Sequence, residues 1–259
     1  MSESNAVVPQ SETAAPALSQ IQRVLYIFTA PSKTFTDILR SSNWLLPFVL
    51  SLIFSCGFAY VVQKQVGWEK VADNVTKSNP KQAEAQEERM KNMTPEQIAG
   101  MRKGTGYFFA GVFGYGGPIF GLILAAIAAG LLLATVNFGF GGTATYGKLF
   151  AVWIFAGLPL VLKYVLAAVA LFAGMAGESF MITNPVGTNP GYYFPPPDTP
   201  LWLYSLLTAV DIFTIWAVVL MIIGTAIVAK VKTNAAAIAV LGWWLFLTII
   251  GVGYTAISS

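Results

Sequence analysis

LWLYSLLTAVDIFTIWAVVLMIIGTAIVA, residues 201 to 229, runs for 29 residues with one charged side chain, Asp211. At about 1.5 Å per residue, this stretch is long enough to cross a hydrocarbon layer of about 30 Å as one tilted helix. A carboxylate in its middle costs about 2.5–3.5 kcal/mol on insertion scales, so it should face other helices, pair, or serve function. Lys163 is the only other charged residue inside an apolar segment. Counted from the ends that the two segments share, both lie about ten residues deep, which predicts an ion pair between antiparallel neighbouring helices. Three readings of the two residues stay open. They could form a structural pair fixing helix register, act as a proton or ion relay, or leave Asp211 bonded locally to Thr208 or Thr214.

Composition points the same way. Apolar residues make up 56% of the 259 and charged residues 10%, against roughly 25% charged in an average soluble domain. The reading is an all-α polytopic membrane protein, because a bilayer offers no water to satisfy an unpaired backbone. With no histidine and one cysteine, Cys56, there is no Ser-His-Asp or Cys-His nucleophile, no histidine-ligated metal, no cysteine metal cluster and no intrachain disulfide. Cys56 itself reads as a small packing residue. No catalytic, cofactor-binding or metal site is expected, and no nucleic acid partner.

Residues 1–17 are polar, small and proline-bearing, and read as a disordered tail. Residues 18–43 read as amphipathic cytosolic helices. Ile21, Val24, Leu25 and Phe28 recur at helical spacing on a helix expected at the membrane surface. After Pro31, Ser32 is expected to cap a second helix, with Phe35, Ile38 and Leu39 on one face and Lys33, Asp37 and Arg40 toward water. Residues 44–256 then read as a five-span membrane domain. The first span is Trp44 to Val62, with Pro47 in its first turn, and a shallow dip without crossing is the alternative.

Residues 63–106 carry eight Lys or Arg and six Asp or Glu, and form a polar insertion expected to be a helical hairpin outside the bilayer. Asn79-Pro80 and Thr94-Pro95 write its two helix starts. The second span lies within 107–138, broken or kinked at Gly116-Gly117-Pro118. Gly117 and Gly121, then Ala126 and Gly130, place small residues four apart, a spacing that lets helices approach closely in lipid. The third span runs from Leu149 to Phe172 and carries Pro159 and Lys163. A loop without Lys or Arg follows, in which Pro195-Pro196-Pro197 should be extended polyproline II. The fifth span runs from Ala235 to about Ala256.

The positive-inside bias sets the orientation. Arg23, Lys33, Arg40, Lys148, Lys230 and Lys232 flank the spans on one side, which puts the N-terminus inside and the C-terminus outside; the eight basic residues of 63–106 fall on the outer side in this arrangement and are its one misfit. Gly142-Thr-Ala-Thr-Tyr-Gly147-Lys148 matches the phosphate-loop spacing, but Leu149 stands where magnesium binding needs Ser or Thr. An apolar span also precedes it where a strand should be. A glycine-rich turn is the expected reading. Asn74 and Asn92 sit in formal glycosylation sequons.

The stretch RVLYIFTAPSKTFTDILRSSNWLLP, Arg23 to Pro47, resembles the opening of the Ypt/Rab-interacting protein (Yip) membrane family in its bacterial members. The likeness continues through FAVWIFAGLP, Phe150 to Pro159, and through VDIFTIW, Val210 to Trp216. Pro31, Phe35, Pro47, Pro159, Asp211 and Trp216 are the family-motif residues that the resemblance marks. It implies five closely spaced spans with a cytosolic N-terminus. Thr29-Ala-Pro-Ser32 stands where eukaryotic members carry Asp-Leu-Tyr-Gly-Pro, so Rab binding and Golgi trafficking are not carried over. The expectation is a non-enzymatic Yip protein that scaffolds, assembles or organises membrane through helix packing. Its expected partners are the lipid bilayer and a membrane-protein or small-GTPase-like partner at the N-terminal region. The alternative is a small transporter or channel subunit using Lys163 and Asp211. A bacterial cytoplasmic membrane is favoured over an ER or Golgi membrane.

Overall fold

A computed structural model describes residues 16–174 and 177–258, and the tail expected over residues 1–17 lies almost wholly outside them. The described residues are helical, with no strand among them. Among the described residues five helices are long and apolar enough to cross a membrane: Leu45–Gln65, Gly117–Gly139, Tyr146–Phe172, Ile212–Ala229 and Thr233–Ser258. Large apolar side chains such as Ile119, Phe120 and Leu124, and Ile249 and Ile250, point outward. In a soluble protein such a surface would aggregate, whereas lipid solvates it.

The chain opens with a short helical hairpin, α1 (Gln20–Thr29) and α2 (Pro31–Ile38). Ser19 and Gln22 form a reciprocal capping box at the start of α1. Ala30, not Ser32, precedes α2, because Pro31 occupies the first helical position, where its missing N–H has no partner to lose. The expected amphipathic face is present in part. Ile21 and Leu25 are exposed, but Ile27, Phe35 and Ile38 are fully buried in the same core as the spanning helices. Asp37 does not face water. It is buried against Arg23, because folding the hairpin brings the two together across 14 residues of chain.

The first spanning helix, α3 (Leu45–Gln65), leads into three helices, α4 (Trp68–Lys77), α5 (Pro80–Lys91) and α6 (Pro95–Phe109). The predicted caps form as read, with Asn79 accepting from Gln82 N at 3.3 Å and Thr94 and Gln97 making a capping box. The expected two-helix hairpin is a three-helix segment. Trp68, Val71 and Ala72 of α4 are buried and Trp68 and Val71 join the core, which anchors that helix instead of leaving it as a solvated arm.

Gly116 interrupts the next helix where the sequence predicted. Residues 110–115 form a π-helical turn and α7 (Gly117–Ala134) follows, ending in a second such turn over residues 135–139. The third span is two helices in series, α8 (Tyr146–Ala156) and α9 (Leu158–Phe172), joined at Gly157. Pro159 lies in the first turn of α9, where no hydrogen bond is missed. The triple proline is a turn with a cis bond between Pro196 and Pro197, not an extended run.

The largest departure is in residues 201–229. In place of one helix there are α10 (Leu201–Ala209) and α11 (Ile212–Ala229), broken at Val210-Asp211. The last helix, α12 (Thr233–Ser258), packs against both.

Two cores stack along the bundle. One, near the Tyr146 end of the third span, gathers Phe35, Val152, Phe155, Leu220 and Val228; the other, near its Phe172 end, gathers Phe58, Val62, Trp68, Leu171 and Phe180. Gly224 of α11 shows how tightly α2 is seated. A Cβ there would lie 2.6 Å from Val152 Cγ1 and 2.8 Å from Phe35 Cε1. Gly224→Val is therefore expected to cost about 1–3 kcal/mol through overpacking, read as a lowered unfolding temperature of the purified protein in detergent.

Candidate functional site

Lys163 projects from the second turn of α9, and Asp211 stands at the N-cap of α11 with extended backbone angles. Their Nζ and Oδ2 atoms are 2.9 Å apart. The break in residues 201–229 explains how a carboxylate is accommodated here. Asp211 Oδ1 accepts from the backbone N–H of Phe213 and Thr214 at 3.0 and 3.2 Å. These N–H groups are orphaned at any helix start, and the positive end of the helix dipole favours an anion. Of the local partners expected, Thr214 contributes its backbone N–H, and the hydroxyl of Thr208 goes instead to Ser205 O.

Oδ2 is equally well served. Besides Lys163 it accepts from the Thr188 hydroxyl and from Asn189 Nδ2 at 3.3 Å. Asn189 and Asn184 exchange a pair of amide hydrogen bonds at 2.7 and 3.2 Å, and Asn189 Oδ1 also caps the short turn Pro190–Tyr193. The backbone joins in, with Ile212 N donating to Thr188 O at 3.1 Å. Asp211 is 1% exposed and the Lys163 side chain 17%. The result is a closed set in which one carboxylate ties α9, α11 and the loop between them.

Thr188, Asn184 and Asn189 were not singled out from the sequence. The signal was present as two Asn-Pro steps, Asn184-Pro185 and Asn189-Pro190, five residues apart, each a strong turn marker. Asn74, read as a formal sequon, likewise spends its side chain internally, donating to Gly177 O and Phe180 O at 3.2 and 2.9 Å.

The other marked residues are scattered through the fold. Pro31 begins α2, Phe35 is fully buried beside Gly224, and Pro47 is buried in the first turn of α3. Pro159 is buried in the first turn of α9. Trp216 receives Phe28 edge-on at 5.7 Å between ring centroids, so the tip of the N-terminal hairpin reaches the helix that Asp211 caps.

The small-residue stripe is partly in contact within the chain. Gly121 and Gly130 face open space, Gly117 lies against Ser55 of α3, and half-buried Ala126 accepts from the Tyr146 hydroxyl at 3.1 Å through its carbonyl, whereas Ala125 and Ala129 are the buried small residues. The buried face of α7 is thus offset by one residue from the stripe read in the sequence.

The phosphate-loop match dissolves on inspection of its backbone. Gly142 N–H donates to Val136 O and Thr143 N–H to Ala229 O, both at 2.9 Å, so these donors are already spent on the protein. The preceding element is a helical turn and not a strand. Among the described residues no cluster of three or more His, Cys, Asp or Glu is placed to hold a metal ion.

A Yip1 domain family model matches residues 25–255. No curated protein and no solved structure matches the chain significantly. The match takes in the N-terminal hairpin from Leu25 onward, all five long apolar helices and the Lys163–Asp211 pair, and on that extent the chain belongs to the Yip1 domain family.

Proposed function

We propose that this Yip1-family protein is a non-enzymatic scaffold of the membrane, in which the Lys163–Asp211 pair is a structural lock. The supporting observation is the closure of the pair, since each carboxylate oxygen has at least two donors. A relay needs a group whose charge can change as solute passes, and this carboxylate is held by a lysine, a helix N-terminus and two loop side chains, Thr188 and Asn189. The scaffold works through packing with membrane partners, and the docked N-terminal hairpin offers a cytosolic surface to a membrane-protein or small-GTPase-like partner. The N-terminus is cytoplasmic and the C-terminus exposed, in a bacterial cytoplasmic membrane, and α4 to α6 lie outside the bilayer. The support is the lysines at the α7–α8 and α11–α12 turns.

A second reading has one observation in its favour. The break between α10 and α11, with an ionisable residue at a half-helix N-terminus, is a feature of transporters.

One experiment separates the two. Lys163→Ala or Asp211→Ala alone leaves a buried charge unpaired and is expected to cost about 3–5 kcal/mol. The double change Lys163→Met/Asp211→Asn removes both charges while keeping an N-cap acceptor, and is expected to recover most of that loss. A simple charge swap is a poor test, because it would put a cation at the N-terminus of α11. Thermal unfolding in detergent reads the stability, and proteoliposome flux reads transport. Flux that the double change abolishes without loss of stability would establish the transporter reading instead.

A further inference from the structure

A cavity of about 430 Å³ opens between α7, α8, α9, α11 and α12. It does not include Lys163 or Asp211 and is independent of the proposed role of that pair. Its lining is apolar except for Thr214 and Thr248, and the Thr248 hydroxyl is spent on Trp244 O of its own helix at 2.8 Å. Three indoles, Trp153, Trp243 and Trp244, form its walls, and the small residues Ala128, Gly157 and Ala217 make the room.

Its depth is fixed by the helices. Ala128 is the twelfth residue of the 23 in Gly117–Gly139, Gly157 the twelfth of the 27 in Tyr146–Phe172, and Trp244 the twelfth of the 26 in Thr233–Ser258. All three fall at or near the midpoint of their spans. The cavity therefore sits in the hydrocarbon layer.

Left empty, a void of this size would strip its lining atoms of contacts on one side. Water needs two to four polar partners, which this lining does not provide. The solvent at that depth is the acyl chain of a lipid. The walls are also built in advance of any ligand. Trp243 Nε1 donates to Thr135 Oγ1 at 2.9 Å, and its ring packs edge-on to Phe246. A second, shallower cavity of about 350 Å³ shares Trp243 as a wall with the first and lies toward Ile238 and Phe140, near the end where α12 begins.

We propose that this crevice is a binding site for one acyl chain of a membrane phospholipid, held by packing against the indole walls. Inside a bilayer there is no hydrophobic gain to be had, so retention must come from close packing, and filling the crevice with a side chain should abolish it.

The test uses the full chain purified in detergent with added dioleoyl phosphatidylcholine, and native mass spectrometry counts the lipids retained after detergent exchange. Wild type is expected to keep one phospholipid per chain, and Ala217→Phe at least fivefold less, with an unfolding temperature in lipid-free detergent no lower than wild type. Ala128→Ile, on the opposite wall, serves if Ala217→Phe does not fold. Equal retention by wild type and a folded filled variant would overturn the proposal, as would no retention by either. A wild-type dimer that the filled variant loses would also overturn it, because the occupant would then be a second copy of the chain.

Discussion

Arg23→Ala is expected to release the N-terminal hairpin from the bundle at a cost of about 3–5 kcal/mol, the range for removing one member of a buried ion pair. Arg23 is 2% exposed and Asp37 5%. The guanidinium is used almost completely. Its Nε and Nη2 each lie 2.7 Å from Asp37 Oδ2, and Nη1 donates to Ser41 O at 2.8 Å. Around this centre Leu18 N donates to Asp37 Oδ1 at 3.3 Å, and the Thr34 hydroxyl donates to Arg23 O at 2.9 Å. Taking away the guanidinium leaves Asp37 as a buried anion with only a backbone N–H and the more distant Arg40 to compensate it. Arg23→Lys should recover little, since an ammonium cannot reproduce the fork that spans Asp37 and Ser41. Limited proteolysis in detergent provides the readout. Cleavage should appear within residues 16–43 of the variant while the spanning helices stay protected. The double change Arg23→Met/Asp37→Leu should restore protection, because the penalty comes from the unpaired charge and not from loss of the pair. Protection of the single variant equal to wild type would mean that the hairpin is held by its apolar face alone.

Phe35→Ala carries the other large expected effect, about 3–5 kcal/mol for emptying a fully buried aromatic site. Phe35 is 0% exposed and its ring edge lies over Gly224, in a slot that also holds Val152. The walls of the slot are themselves fully packed, with Phe155 of α8 and Leu220 and Val228 of α11 buried in the same core, which limits how far they can relax into the space. Thermal unfolding should show the loss, and adding Gly224→Leu to Phe35→Ala should not return it, because a Cβ at 224 meets Val152 Cγ1 at 2.6 Å whether or not the ring is present. Recovery by the second change would show that Gly224 serves ring clearance alone and not the approach of α8 to α11.

Much of this architecture is legible in the chain. The five spans follow from apolar length; the ends of the first, third and fifth differ from the read ends by up to three residues, whereas the second and fourth begin at Gly117 and Ile212, ten or more residues into the apolar stretches that announced them. Asn79 and Thr94 announce their helices because a cap is a local interaction between residues three apart. Gly116-Gly117-Pro118 announces a break for the same reason. Lys163 and Asp211 could be named from sequence because a charge in an apolar run is costly wherever it sits.

What the sequence determined, then, is what short-range chemistry and the bilayer set: a helical polytopic protein, its span count, the caps at Asn79 and Thr94, the break at Gly116, and the family to which it belongs. Only the tertiary structure decided that Asp211 ends one helix and begins another, that Thr188 and Asn189 reach down to it, and that Asp37 turns inward to Arg23. The reason is physical. A 29-residue apolar run is equally compatible with one helix or two, and what tips it is the carboxylate, which a bent chain can satisfy with backbone N–H groups and partners more than 20 residues away. Those partners become neighbours only once the bundle has packed.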